Sequence, residues 1–223
     1  AYVKNFEAVT ELLAACPECK KSPYLRSSGN RTRCIVIAGD RGLAGGYNAN
    51  VFRLAREYPE AEFIPIGKRA CEHFNKAPIS SETFSAEDAL KMAKTLCRDF
   101  TEEKYDRLGI IGTQFVSMMT QEAVMRWVLP LSVKGTQKKD TSVIFEPDEA
   151  TILDLAIPEY VAGILVMSVR ESFASEVAAR RMAMDSAEKN AHQMIEDLQL
   201  QYNRARQSVI TQEITEIIAG SGT

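Results

Sequence analysis

Apolar and polar positions change their period several times along the chain, and each change marks an element. Val3, Phe6, Val9, Thr10 and Leu13 recur at helical spacing, which predicts a helix ending before Pro17; Lys20 to Arg33 is polar and rich in turn formers. Cys34-Ile-Val-Ile-Ala38 is a continuous apolar run of strand length. The glycine-rich segment Gly39-Asp-Arg-Gly-Leu-Ala-Gly-Gly-Tyr-Asn48 follows it and leads to a helix-like stretch from about Asn50 to Glu57. A second short strand, Phe63-Ile-Pro-Ile66, passes through Gly67 into helical spacing over Lys68–Asn75. Ser85–Phe100 is predicted as a helix with Ser85 as its N-cap and Asp88 three residues on, and Leu108-Gly-Ile-Ile111 as a third buried strand. Gln121–Val133 and Ser142–Phe145 are candidates for further strands. Alternating strands and helices predict an α/β fold, a parallel sheet covered by helices.

The pattern changes near Pro158. Beyond it no proline occurs, and glycine is confined to Gly163, Gly220 and Gly222. Glu159 to about Ile218 reads as one helix, roughly 90 Å long at ~1.5 Å per residue, whereas a compact domain of ~150 residues is about 40 Å across. The helix is therefore expected to protrude. Val177, Met184, Ala191, Leu198 and Ala205 recur every seven residues, with Ala187 and Met194 three residues after their matching positions. Such a repeat imposes a left-handed supercoil with a partner helix. Ala178, Ala179, Ala183, Ala187, Ala191 and Ala205 allow close approach but bury little area each, which suits a slim shaft. The partner helix is expected upstream of Ala1 or on another chain.

Composition narrows the classes. The 223 residues are 45% hydrophobic and 26% charged with a formal net charge of -3, as in an ordinary globular protein. No run approaches the ~18 uninterrupted apolar residues of a membrane span, and Ala1–Glu11 lacks a signal-peptide pattern, so a membrane role would come through a partner. Lys and Arg form no stripe that would neutralise nucleic-acid phosphates. Five scattered cysteines read as reduced thiols of a cytosolic compartment. Cys16-Pro-Glu-Cys19 alone has metal-like or redox-like spacing, but no second ligand pair sits nearby, so a surface turn is the favoured reading and no metal is expected.

The loop after the first strand invites a phosphate-binding interpretation, because a strand–loop–helix junction aims N–H groups at an anion. Its glycines fall at relative positions one, four, seven and eight, which fits neither a dinucleotide fingerprint nor a P-loop. A structural turn that packs the loop on its own domain is favoured, and no cofactor is expected. His73 and His192 sit among polar neighbours and read as solvated surface groups, and local spacing suggests no catalytic constellation.

Two stretches carry a resemblance. Ile37-Ala-Gly-Asp-Arg-Gly-Leu-Ala-Gly-Gly-Tyr-Asn-Ala-Asn50 resembles the Gly-Asp-Arg-Gly-Leu-Cys-Gly-Gly signature of the gamma subunits of F-type ATP synthases, with Ala44 in place of the usual cysteine. Ser172–Asp185 and Tyr202–Ile217 are similar to that family's final helix, and Phe145-Glu-Pro-Asp148 adds a third match. The resemblance implies a Rossmann-like parallel-sheet domain (residues 17–147) between the end of an N-terminal helix (1–16) and a long C-terminal helix (148–223), which forms half of an antiparallel coiled coil. Ala1–Leu13 matches only the last turns of the family's N-terminal helix.

Functionally, the resemblance implies a non-catalytic central-stalk rotor that couples c-ring rotation to ATP synthesis or hydrolysis, without cofactor or metal. Its implied partners are the alpha, beta and epsilon subunits and the c-subunit ring, with the membrane met only through that ring and no nucleic acid. Its implied location is the cytoplasmic face of a bacterial plasma membrane. Arg206, Gln207, Thr211 and Glu213 match the segment that meets the beta subunit, Glu176 and Arg180 match a lower contact with the same subunit, and Glu146 matches a position facing the c ring. The competing readings are a Rossmann-like nucleotide- or phosphate-binding enzyme with a dimerising helix, and a coiled-coil adaptor that self-associates through the Val177–Ala205 seam.

Overall fold

The structure, a computed structural model, describes residues 10, 13, 16, 18–26, 29–131 and 148–222. Most of the predicted N-terminal helix, the candidate strand Ser142–Phe145 and Glu146 lie outside the described residues. The chain divides into two compact units, Ala1–Arg180 and Arg181–Thr223.

The first unit is built on a four-stranded sheet of β1 (Thr32–Ile37), β2 (Glu62–Ile66), β3 (Arg107–Phe115) and β4 (Gln121–Leu129), in the order β2-β1-β3-β4. β1 pairs in parallel with β2 and with β3, whereas β4 runs antiparallel to β3. The expected parallel sheet is present in β2, β1 and β3, and β4 adds an antiparallel edge strand to it. The reason is local: only Val116–Thr120 separates β3 from β4, which is room for a hairpin but not for the crossover a parallel strand needs. Pro65 lies in β2, an edge strand, where a missing N–H is tolerated.

Strand alternation sorts β1 between two cores. Ile35 and Ile37 join the larger one, with Leu108 and Ile110 of β3; Cys34 and Val36 join the smaller one, with Ile111. Helices α1 (Tyr47–Ala55) and α2 (Lys68–His73) cover the smaller core through Val51, Ala55 and Ala70. Helix α3 (Ala86–Thr101) covers the larger core with Ala89, Ala93, Leu96, Cys97 and Phe100, a stripe at helical spacing. The capping box expected at its start is present: the Ser85 hydroxyl accepts from Asp88 N–H, and the Asp88 carboxylate accepts from Ser85 N–H.

The fourth helix, α4 (Glu149–Gly220), is 72 residues long and begins ten residues before the expected start, passing through Pro158. A proline in a helix interior costs about 3 kcal/mol. Leu153, Ile157, Val161, Ile164, Leu165 and Val169 are all at most 4% exposed in the larger core. Each such side chain contributes about 1.5–3 kcal/mol on burial, so the packing outweighs the break. An 18-residue window of α4 reaches a mean hydropathy of 1.8, apolar enough to cross a membrane by length and composition. Half of that window is buried inside the protein, as in a core helix.

Cys16 and Cys19 are 5% and 0% exposed and belong to the larger core with Leu13 and Tyr24, so, contrary to what their polar context suggested, these two cysteines are not at the surface. Cys34, Cys71 and Cys97 are also buried, and burial pushes the Cys34 thiol up to about 11 and Cys97 to about 12, well away from reactive thiolates.

In the second unit, Arg181–Thr223, the chain is helical through Gly220. Met184, Met194, Leu198, Val209, Ile214 and Ile218 are exposed there by 41–65%.

Candidate functional site

The strand order makes the gap between the carboxyl ends of β1 and β3 a switch point, because the chain leaves β1 for a parallel neighbour on one side and returns to a parallel neighbour on the other. Open α/β sheets bind their ligands there. In this protein the loop Gly39–Gly46 follows β1 at that end, and a segment of α4 is docked against it.

Ser172, Glu176 and Arg180 are four residues apart and therefore share one face of α4. The Tyr47 hydroxyl, at the start of α1, donates to the Ser172 carbonyl at 2.9 Å and shares a short hydrogen bond with the Ser172 hydroxyl. One turn on, the Glu176 carboxylate accepts the Arg41 backbone N–H at 3.3 Å and the Arg180 guanidinium. Arg180 Nε donates to the Gly42 carbonyl at 3.3 Å. The Glu176 side chain is only 2% exposed. Gly39 is what admits it, since a Cβ there would lie 2.5 Å from the Glu176 carboxyl carbon.

A second carboxylate holds the base of the loop. Asp40 accepts from Lys68 N–H at 2.8 Å, from Ser81 and Glu82 N–H at 3.0 Å each, and from the Ser80 hydroxyl. Burial pushes the Asp40 carboxyl up, but these four donors outweigh it and hold the group below the usual carboxylate range. Gly67 has φ +100° and brings the β2–α2 turn so close to β1 that a Cβ would stand 2.0 Å from the Ala38 carbonyl oxygen. Leu43 sits at φ 60°, a conformation L side chains rarely adopt, with 76% of its surface exposed. Tyr47 is buried, and that burial pushes its phenol up to about 12.

The anion position of this loop is therefore filled from within. A phosphate arriving at Arg41 N–H would have to expel Glu176, which argues against the phosphate-binding enzyme reading. Among the described residues no group of three His, Cys, Asp or Glu side chains could hold a metal ion. An open groove of about 710 Å³ lies between β2 and α3. Ile64, Phe84, Met92 and Leu96 line it, and Arg33 within it is bound to Glu62 at 2.8 Å and Asp99 at 2.7 Å.

The expected site residues divide into three groups. Glu176 and Arg180 come together on one face of α4, the carboxylate with 2% and Arg180 with 27% of its side-chain surface exposed. Arg206, Gln207, Thr211 and Glu213 are exposed on α4 in the second unit; the Thr211 hydroxyl bonds back to the Gln207 carbonyl at 2.8 Å. Glu146 lies outside the described residues. His73 and His192 are both exposed as expected; His192 lies 3.9 Å from Glu188, and His73 stacks on Phe52 with ring centroids 4.1 Å apart. Sequence reading missed Gly39, Asp40, Tyr47 and Ser172 as a docking constellation. The available signal was Ser172, Glu176 and Arg180 extending the Val161, Leu165, Val169 stripe at three- and four-residue steps with polar groups.

Comparison with known proteins adds three findings. The family model described as ATP synthase matches residues 1–223. Among curated proteins, the ATP synthase gamma chain of Ruminococcus albus is 43% identical over 209 residues, covering 86% of this chain and 73% of the relative. That of Stenotrophomonas maltophilia is 35% identical over 240 residues, covering 99% and 84%. Among solved structures, a chain of the Euglena gracilis mitochondrial ATP synthase, OSCP/F1/c-ring, superposes with a TM-score of 0.63 at 17% identity, covering 98% of this chain and 88% of that one, a likeness of fold.

Proposed function

The chain belongs to the ATP synthase family as a gamma chain, a non-catalytic subunit of the central stalk, and from that premise we propose how it works. It is a rotor that couples rotation of a c-subunit ring to ATP synthesis or hydrolysis in an alpha/beta head, with an epsilon subunit beside it. It acts in ion transport at the cytoplasmic face of a bacterial plasma membrane, as a peripheral component that meets the bilayer only through the ring. The carrying observation is identity of 43% and 35% to gamma chains of which this chain covers 73% and 84%.

Residues 1–16 are then the end of one helix of an antiparallel coiled coil, 17–147 the foot, and 148–223 the other helix, whose Val177–Ala205 seam faces its partner. Arg206, Gln207, Thr211 and Glu213 meet the beta subunit, the Glu176–Arg180 pair forms the lower contact with it through the surface Arg180 keeps, and Glu146 faces the ring. A charge-assisted hydrogen bond from Arg206 in a desolvated contact is worth about 1.5–3 kcal/mol, enough to bias one rotary angle over another. The occupied crevice supports a mechanical role, because the fold's ligand position is used to fasten α4 to the sheet domain.

The test is reconstitution. The purified chain hydrolyses no ATP alone and restores coupled turnover when assembled with alpha, beta, epsilon and the membrane sector. Failure of the chain to bind an alpha/beta subcomplex, or micromolar ATP affinity of the isolated chain, overturns the rotor reading.

A further inference from the structure

We infer that the Gly39–Gly46 loop is a carboxylate-binding site whose resident ligand is the chain's own Glu176, and that it takes up a small free carboxylate when that side chain is cut back. Three features make it a receptor rather than a chance contact. The donors converge: Arg41 N–H and the Arg180 guanidinium both reach Glu176 Oε1. The receptor is braced independently of its ligand, because Arg180 Nε bonds to the Gly42 carbonyl, the Gly39 N–H donates to Asn48 Oδ1 at 3.0 Å, and Asp40 holds the base of the loop through four hydrogen bonds. The space is shaped for a carboxylate, since a Cβ on Gly39 would fall 2.5–2.9 Å from all three carboxyl atoms of Glu176.

Glu176→Ala removes a CH2–COO⁻ fragment and leaves the arginine, the loop N–H and the glycine in place. The excised fragment has the size and charge of acetate. Enclosure of the site, with Glu176 1% exposed, keeps competing water scarce and favours an anion that reproduces the lost hydrogen bonds over one that merely adds ionic strength. Phosphate is a poorer occupant, because it brings more oxygens than the two donors can satisfy. The chemical class is thus a small monocarboxylate.

The experiment is chemical rescue of the full chain, read by thermal unfolding and by hydrogen exchange at the Arg41 amide. Glu176→Ala melts below the parent protein, and acetate raises its Tm by about 3–6 °C once it stands tenfold above its dissociation constant. Chloride and phosphate at matched ionic strength do not reproduce the rise, and acetate leaves the parent protein unchanged. Acetate also slows Arg41 amide exchange in the variant, and the rescue disappears in Glu176→Ala/Arg180→Ala. Glu176→Gln, which keeps the volume filled, gains nothing from acetate. If Glu176→Ala refolds only with acetate present, refolding yield against concentration is the same result. Equal responses to acetate and chloride, no response at all, or failure to fold under every condition overturns the proposal.

Discussion

Replacing Gly39 by alanine adds one methyl group at a place where the backbone itself raises no objection, since Gly39 is not among the glycines with positive φ. The cost comes from Glu176: the new Cβ would lie 2.5 Å from its carboxyl carbon, 2.6 Å from Oε1 and 2.9 Å from Oε2. The end of a glutamate is flexible, but this one is pinned, and moving it gives up the hydrogen bonds from Arg41 N–H and Arg180. A hydrogen bond to a charged group contributes about 1.5–3 kcal/mol, and stranding one member of a buried ion pair costs about 3–5 kcal/mol. Arg180 is 27% exposed and can turn toward water, which reduces that penalty. We expect a loss of about 2–4 kcal/mol, and at ~2–4 °C per kcal/mol for a protein of this size a fall in Tm of about 5–15 °C. Scanning calorimetry and urea unfolding measure it. In a Glu176→Ala background the carboxylate is gone, so the same methyl group should cost less than about 0.5 kcal/mol, the two sites being coupled. A loss below about 1 kcal/mol in the parent, or equal losses in both backgrounds, would show that close approach of Glu176 is not why glycine stands at 39.

Further outcomes follow from other contacts. Gly67→Ala puts a methyl group 2.0 Å from a backbone oxygen at φ +100°, where nothing flexible can yield, so little soluble protein should be recovered and any that is should unfold several kcal/mol more easily. Asp40 has its pKa held below the ordinary value, so its stabilisation is complete above the unfolded-state pKa near ~3.9 and is lost as pH falls through the folded value. Asp40→Asn should lower stability at pH 7 and flatten the acid limb of the stability curve, as urea midpoints between pH 7 and pH 3 will show. Tyr47 should not ionise until about pH 12, and Tyr47→Phe, which removes a buried bond to Ser172, should cost about 1–2 kcal/mol by urea unfolding and delete that step from the ultraviolet titration. In the assembled complex Arg206→Ala should lower coupled turnover while leaving the chain's own Tm within about 1–2 °C, because the residue is exposed here.

Much of the fold follows from local pattern. β1, β2 and the start of β3 announced themselves as apolar runs, α3 by its stripe and capping box, and the end of α4 by an unbroken helical sequence. These signals are legible because period and capping act within a few residues of one another. Where the pattern misled, tertiary packing was stronger. The proline at 158 is carried inside α4 by the core on either side of it, and Cys16 and Cys19, polar in context, are buried in that core.

The sequence by itself determined that this is an α/β chain with a long helix, that its glycine loop fits neither nucleotide-binding spacing, and that its motifs are those of a gamma chain. Only the tertiary structure decided what the loop holds. Arg41 and Glu176 are 135 residues apart, and no local period links an N–H at the end of a strand to a carboxylate on a distant helix. That contact exists because the core stripe of α4 sets the helix's rotation over the sheet, and the rotation that buries Val161, Leu165 and Val169 also turns Ser172, Glu176 and Arg180 onto the loop. Burial then makes the placement consequential: a glutamate that reads as one more solvated helix charge becomes, with 2% of its side chain exposed, the occupant of the position where related folds keep a ligand.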